Sequence, residues 1–124
     1  MTRTILIVED TEACRDTLEV ALMRLTGIAV RSVATAEEAL ECLVVSEVCA
    51  LVTDLHLPGI DGFELIEAVR SQPMRSSLPI LVISGDSDPQ TLARLDLLGV
   101  NAYFPKPYSP AEVRQTLEQL LDGS

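Results

Sequence analysis

Apolar positions along the chain fall into two patterns that take turns. Short continuous runs occur at residues 4–8, 49–53 and 79–83. Each is too short for a helix and rich in aliphatic residues, which predicts strands buried on both faces. Residues 28–33 alternate apolar and polar side chains and predict a second, more exposed strand, and residues 100–104 predict a brief fifth. Between the runs, apolar residues recur every three or four positions. Cys14, Leu18, Ala21, Leu22 and Leu25 predict a helix from Thr11 to about Thr26, stopped by Gly27. Thr35-Ala36-Glu37-Glu38 and Asp61-Gly62-Phe63-Glu64 are capping boxes. The first opens a helix through Ala39, Leu40 and Leu43 to about Val45; the second opens one through Leu65, Ile66 and Val69 that fades near Ser71. Residues 71–78 form a polar, proline-containing loop. Asp88-Pro89 supplies an N-cap and a first-turn proline for a helix through Leu92, Leu95 and Leu98 to Gly99. Ser109-Pro110-Ala111-Glu112 starts the last helix, through Val113, Leu117, Leu120 and Leu121.

Strand and helix thus alternate five times with short connections, which predicts an α/β fold with a doubly wound parallel sheet and helices on both faces. With 124 residues and no linker, repeat or low-complexity stretch, residues 1–124 are expected to form a single domain. Aromatics contribute only 3% of the chain, so the core is aliphatic. The net charge of −10 opposes contact with nucleic-acid phosphates and anionic membranes, so neither is expected as a direct partner. Cys14, Cys42 and Cys49 are odd in number and lack metal-site spacing, which favours free thiols. The N-terminal residues contain no signal-peptide pattern and no membrane-spanning run, so a cytoplasmic location is expected.

In a parallel sheet of this kind, ligands bind beyond the carboxyl ends of the strands. Glu9 and Asp10 follow the first strand, Asp54 the third, Ser84 and Gly85 the fourth, and Lys106 the fifth. The topology therefore gathers three carboxylates, a hydroxyl and an ammonium on one edge. Neighbouring carboxylates repel unless a cation compensates, and hard oxygen donors with room for water or phosphate suit Mg2+. A cation there would keep Asp54 ionised and neutralise the oxygens of an incoming phosphoryl group, while Lys106 and Ser84 would contact others. The constellation reads as phosphoryl acceptance on Asp54.

From Ile5-Leu6-Ile7-Val8-Glu9-Asp10, through Asp54-Leu55-His56-Leu57-Pro58-Gly59-Ile60-Asp61-Gly62, to Lys106-Pro107, the sequence resembles the receiver domains of two-component response regulators, which include chemotaxis regulators. The resemblance spans essentially the whole chain. It implies a five-stranded flavodoxin-like sheet in the order 2-1-3-4-5. It also implies a Mg2+-dependent phosphorelay step onto Asp54, from a histidine kinase or a histidine phosphotransfer protein. Asp10 and Asp54 would bind the metal through their side chains and His56 through its backbone carbonyl, with Glu9 acting directly or through water. Ser84 would be the switch hydroxyl and Tyr103 the aromatic that turns inward behind it. Lys106 would pair with Asp54 and then with the phosphoryl group, and Lys106-Pro107 is expected to be cis. Such a domain promotes its own phosphorylation and dephosphorylation without being a turnover enzyme.

Glu9 stands where the family often has Asp, which favours a water-mediated role, and Ser84 replaces the frequent Thr while keeping the hydroxyl. His56 and Asp86, each two residues beyond a key site residue, are expected to tune the lifetime of the aspartyl phosphate. Leu97 gives the fourth helix more apolar residues than one buried stripe needs. A wider buried face explains it; so does a surface, shared with the fifth strand and fifth helix, for a downstream effector or a phosphorylation-dependent homodimer. A Mg2+-dependent hydrolase with Asp54 as nucleophile would want a second acid where His56 stands. A flavodoxin-type nucleotide module would want a Ser/Thr/Gly loop in place of Glu9-Asp10. A phosphorylation-independent receiver would lack one of the site residues. The start at Met1 fits a stand-alone regulator or an N-terminal receiver.

Overall fold

The computed structural model describes residues 3–86 and 88–122. Five strands form one sheet: β1 (Arg3–Val8), β2 (Ile28–Val33), β3 (Val48–Asp54), β4 (Ile80–Ser84) and β5 (Ala102–Pro105). Every neighbouring pair is parallel, and the order is β2-β1-β3-β4-β5. Five helices connect and close it: α1 (Glu12–Leu22), α2 (Ala36–Val45), α3 (Gly62–Arg70), α4 (Pro89–Leu97) and α5 (Pro110–Asp122). The fold is flavodoxin-like, as expected.

Strand alternation feeds two cores. Leu6 and Val8 of β1 join Leu51, Ile80 and Val82 beneath α2, α3 and Leu95 of α4. Ile5 and Ile7 join Ala50, Val52, Leu81 and Ile83 beneath α1 and α5, which supply Leu18, Leu22, Val113 and Leu117. The three central strands are therefore buried without a break from Ile5 to Val8, Ala50 to Asp54 and Ile80 to Ser84, whereas β2, at an edge, alternates. Cys14, Cys42 and Cys49 are free thiols. None of the described helices is long and apolar enough to cross a membrane.

The differences from the sequence reading lie at element ends. Helix α1 stops at Leu22 rather than near Thr26, because Leu25 folds back to donate its N–H to Leu22 O and buries its side chain; Gly27, at φ +76°, completes the turn. The loop after α3 contains a 3₁₀ turn, Pro73–Arg75. Strand β5 begins at Ala102 rather than Val100, since the Val100 N–H still bonds back to Leu95 O in α4. The Asp61 box is complete, with both reciprocal bonds to Glu64, whereas at Thr35 the N-cap oxygen accepts from the Glu38 N–H and the hydroxyl contacts the Glu38 carboxylate.

Candidate functional site

The direction in which successive strands are added to the sheet reverses between β1 and β3, and the crevice at the carboxyl ends of the strands holds the expected residues. Glu9 is fully buried and Asp54 is 4% exposed, whereas Asp10 lies on the surface side. One carboxylate oxygen from each of the three residues lies within 4.8 Å of the others. Lys106 enters from the far end of β5: its Nζ is 2.7 Å from Asp54 Oδ2 and 3.2 Å from Glu9 Oε2. The remaining oxygens are held by the backbone. Asp54 Oδ1 accepts from the His56 N–H at 3.0 Å, and Glu9 Oε1 from the Thr11 N–H at 3.1 Å. The donor set is thus all oxygen, more anionic than one ammonium balances, and open on the Asp10 side. Such a set fits a small hard divalent cation.

The electrostatics follow from burial. Desolvation pushes the Glu9 carboxyl above its ordinary value of 4.5, and the Asp54 charge adds to this against the Thr11 N–H and Lys106. Burial alone would pull the Lys106 ammonium down, but the hydrogen bond and charge of Asp54, with Glu9 behind it, more than reverse this and hold it above its ordinary range. Tyr108 is pushed up to about 12 by burial and by the neighbouring Cys14 and Glu9.

Ser84, fully buried, ends β4 beside Asp54, and its Oγ accepts from the Asp86 N–H at 3.1 Å. The Lys106 N–H donates to Ser84 O at 2.9 Å, so the lysine and the serine share one piece of backbone. Tyr103 lies behind them: its hydroxyl donates to the backbone oxygens of Ser84 and Asp86, and burial followed by the Asp86 charge raises it. The aromatic is already turned inward. The Asp86 carboxylate accepts from the Asp88 N–H at 2.9 Å and from the Thr91 hydroxyl at 3.0 Å, and these bonds lower it. The His56 side chain is exposed. Lys106-Pro107 is cis, as expected.

The sequence matches the response regulator receiver domain family over residues 5–118. The chain belongs to this family. Among relatives of this receiver domain, the transcriptional regulatory protein GltR of Pseudomonas aeruginosa is 34% identical over 119 residues, which make up 96% of this chain and 49% of GltR. A chemotaxis protein CheY homolog of Campylobacter jejuni is 29% identical over 118 residues, 94% of this chain and 91% of that protein. The crystal structure of a response regulator receiver protein from Pseudomonas putida matches with a TM-score of 0.86 at 28% identity, covering 96% of this chain and 98% of that one. The receiver domain spans about half the length of GltR and nearly all of the CheY homolog.

Two features of the site were not anticipated from sequence. Gly62, the first residue of α3, lies against the end of β3: a Cβ there would sit 2.4 Å from Asp54 O and 2.6 Å from Leu55 Cα. Its N–H donates to Leu55 O at 2.9 Å. The signal available was its place directly after the Asp61 cap. Thr91, which ties Asp86 to α4, gives no sequence signal, because its partner is set by loop geometry.

Proposed function

We propose that this receiver domain is a phosphorylation-activated switch in a two-component phosphorelay. Asp54 accepts a phosphoryl group from a histidine kinase or histidine phosphotransfer protein, and the aspartyl phosphate shifts the face of α4, β5 and α5 toward binding a downstream effector. The observation that carries this reading is the position of Lys106 Nζ, 2.7 Å from the Asp54 carboxylate, within a three-carboxylate cluster at the sheet's switch point.

In this reading an Asp54 oxygen attacks phosphorus, and the bond to the donor's imidazole nitrogen breaks with its electron pair leaving on nitrogen. The residues that would hold Mg2+ are Asp10 and Asp54, with the His56 carbonyl and Glu9, directly or through water; bound there, the ion would neutralise charge on the transferring group. Lys106 trades its Asp54 contact for a phosphoryl oxygen. The Ser84 hydroxyl, whose oxygen already accepts a hydrogen bond, keeps its own proton free to donate to another. Water later attacks the phosphorus, releasing phosphate and restoring the carboxylate. His56 and Asp86 set the rate of that step. The domain forms and hydrolyses its own acyl phosphate without turning over a separate substrate, acts in the cytoplasm, and, with its net charge of −10, does not itself bind nucleic acid or anionic membrane.

The test is incubation with acetyl phosphate, followed by intact-mass measurement. One phosphoryl group is expected on the wild type with Mg2+, and none without Mg2+ or in Asp54→Asn. During the chase after donor removal, His56→Ala and Asp86→Ala are expected to change the half-life severalfold. Labelling that survives Asp54→Asn sinks the mechanism.

A further inference from the structure

All five helices begin on the edge that holds Asp54. In a parallel sheet each helix follows the carboxyl end of a strand, so α1 to α5 start beside the site. Their N-termini are acidic: Glu12 in α1, Glu37 and Glu38 in α2, Glu64 in α3 and Glu112 in α5, with Asp88 as the N-cap of α4. Each of these side chains is exposed. Local chemistry places each one, since a carboxylate at a helix N-terminus meets free N–H groups and the positive end of the dipole. The topology then sums these local preferences into one ring of negative charge around Asp54.

Among the described residues, the cations that reach the site are already engaged there. Lys106 bonds to Asp54 and Glu9, and Arg15 donates to Glu9 O at 3.3 Å. Arg70 ends α3 at the opposite edge, where its guanidinium donates to the carbonyls of Leu98, Gly99, Arg75 and Leu78. Arg94 stands in the last turn of α4 and pairs with Glu67. The ring itself comes close to the site. Glu37 Oε2 lies 3.1 Å from where a Cβ on Gly59 would sit, in the loop leaving β3. Glu112 approaches from the other side, in the first turn of the helix that follows Lys106. A phosphodonor must cross this ring to reach Asp54. With a Debye length of about 8 Å at physiological ionic strength, exposed rim charges act on whatever docks against them.

We propose that the ring selects the phosphodonor. Its partner is a protein whose donor histidine is flanked by cationic side chains, and small free anions such as acetyl phosphate are slow donors because the ring repels them. This rests on the reading of Asp54 as the phosphoacceptor. The chemistry at phosphorus is that already given: the bond to the imidazole nitrogen breaks, its electron pair stays on nitrogen, and an Asp54 oxygen takes the phosphoryl group. The ring acts earlier, on encounter. Complementary charge at a rim raises the rate of association more than the lifetime of the complex, so the selection resides in the second-order rate constant and fades with salt.

Two synthetic peptides test this on the full chain at saturating Mg2+, each carrying a phosphohistidine flanked on both sides by lysines or by glutamates. At low ionic strength the second-order rate of transfer, read by intact mass, is expected to be about tenfold higher from the lysine peptide. At about 0.5 M KCl the rates are expected to converge, the lysine peptide slowing while the glutamate peptide and acetyl phosphate gain. Glu37→Gln combined with Glu112→Gln is expected to narrow the low-salt ratio about threefold. Glu47→Gln combined with Asp96→Asn removes the same charge from exposed positions at the opposite edge, just before β3 and at the end of α4. That control is expected to leave the ratio within about 1.5-fold of the wild type. Equal rates from the two peptides at low salt overturn the proposal. So does equal narrowing in the two double variants, which would leave net charge alone as the cause. Fluorescence anisotropy of the unphosphorylated peptides, on the same samples, separates the ring from the site. If no donor phosphorylates the wild type, the phosphoacceptor reading falls. The ring then stands if the lysine peptide binds the more tightly and only the ring variant weakens that preference, and it falls if both peptides bind alike.

Discussion

Glu9 carries a charge that its burial disfavours. It has no exposure to water, it faces Asp54, and it shares Lys106 with that residue, which holds the closer contact. Its folded-state pKa lies above the ordinary 4.5, so the folded chain binds that proton more tightly than the unfolded chain does. Its contribution is therefore favourable below the ordinary value and is lost as pH rises through the raised one. At neutral pH and without a divalent cation, ionised Glu9 is a cost. Glu9→Gln keeps an oxygen for the Thr11 N–H and removes the repulsion. Without Mg2+ at pH 7, its Tm is expected to exceed that of the wild type by a few degrees, a stability gain on the order of 1 kcal/mol. The gap should vanish below about pH 4, and the stabilisation by added Mg2+ should be smaller in the variant. Thermal scans across pH, with and without Mg2+, measure all of this; a variant less stable than the wild type at pH 7 without Mg2+ would refute it. Glu9, Asp10, Asp54, Ser84 and Lys106 were legible in the sequence because each lies at the carboxyl end of a strand, and a parallel sheet sends those ends to one edge. Arg70 was not, since it serves carbonyls up to 29 residues away, a separation that no local pattern encodes.

Element ends depend on close backbone approach, and α3 is the sharpest case. Its first turn lies directly against the end of β3, and only a residue without a Cβ fits between Asp54 O and Leu55 Cα. Gly62→Ala places a methyl 2.4 Å from a backbone oxygen that cannot swing aside as a side chain would. The strand end and the helix must separate, at a cost of about 2–4 kcal/mol. A urea midpoint lowered accordingly, with slower phosphoryl uptake from acetyl phosphate, is the expected outcome, because the displaced backbone carries Asp54. A midpoint equal to that of the wild type would show that the contact relaxes freely. The same dependence on tertiary contact explains which boundaries the sequence left hidden. Asp61 and Asp88 marked helix starts correctly because an N-cap bonds within its own turn. The end of α1 and the start of β5 were misplaced because Leu25 and Val100 continue an apolar period, and only the packed core decides whether they extend the element or close a turn.

At the scale of the whole molecule, the helices share the covering of the sheet unequally. On one face α1 and α5 each bury a pair of apolar residues, Leu18 with Leu22 and Val113 with Leu117, and close over the sheet. On the other, α2 and α3 close over the sheet with Leu43, Leu65, Ile66 and Val69, while α4 contributes Leu95 and leaves Leu97 89% exposed, so the wider buried stripe is not what that leucine serves. The alternative expectation, a contact surface for a second protein or a second copy of the chain, makes Leu97 the residue to change. Leu97→Glu should then separate folding from recognition. Its stability is expected to stay within about 0.5 kcal/mol of the wild type, because an exposed side chain buries nothing on folding, and its phosphoryl uptake should match. Sedimentation velocity with beryllofluoride and Mg2+ reads the association. A wild-type dimer fraction that grows on beryllofluoride addition and is lost in Leu97→Glu assigns the surface to self-association. Growth that persists in the variant removes Leu97 from the interface. A wild type that stays monomeric in both states leaves the surface to a different partner, for which the chain's net charge of −10 favours cationic side chains.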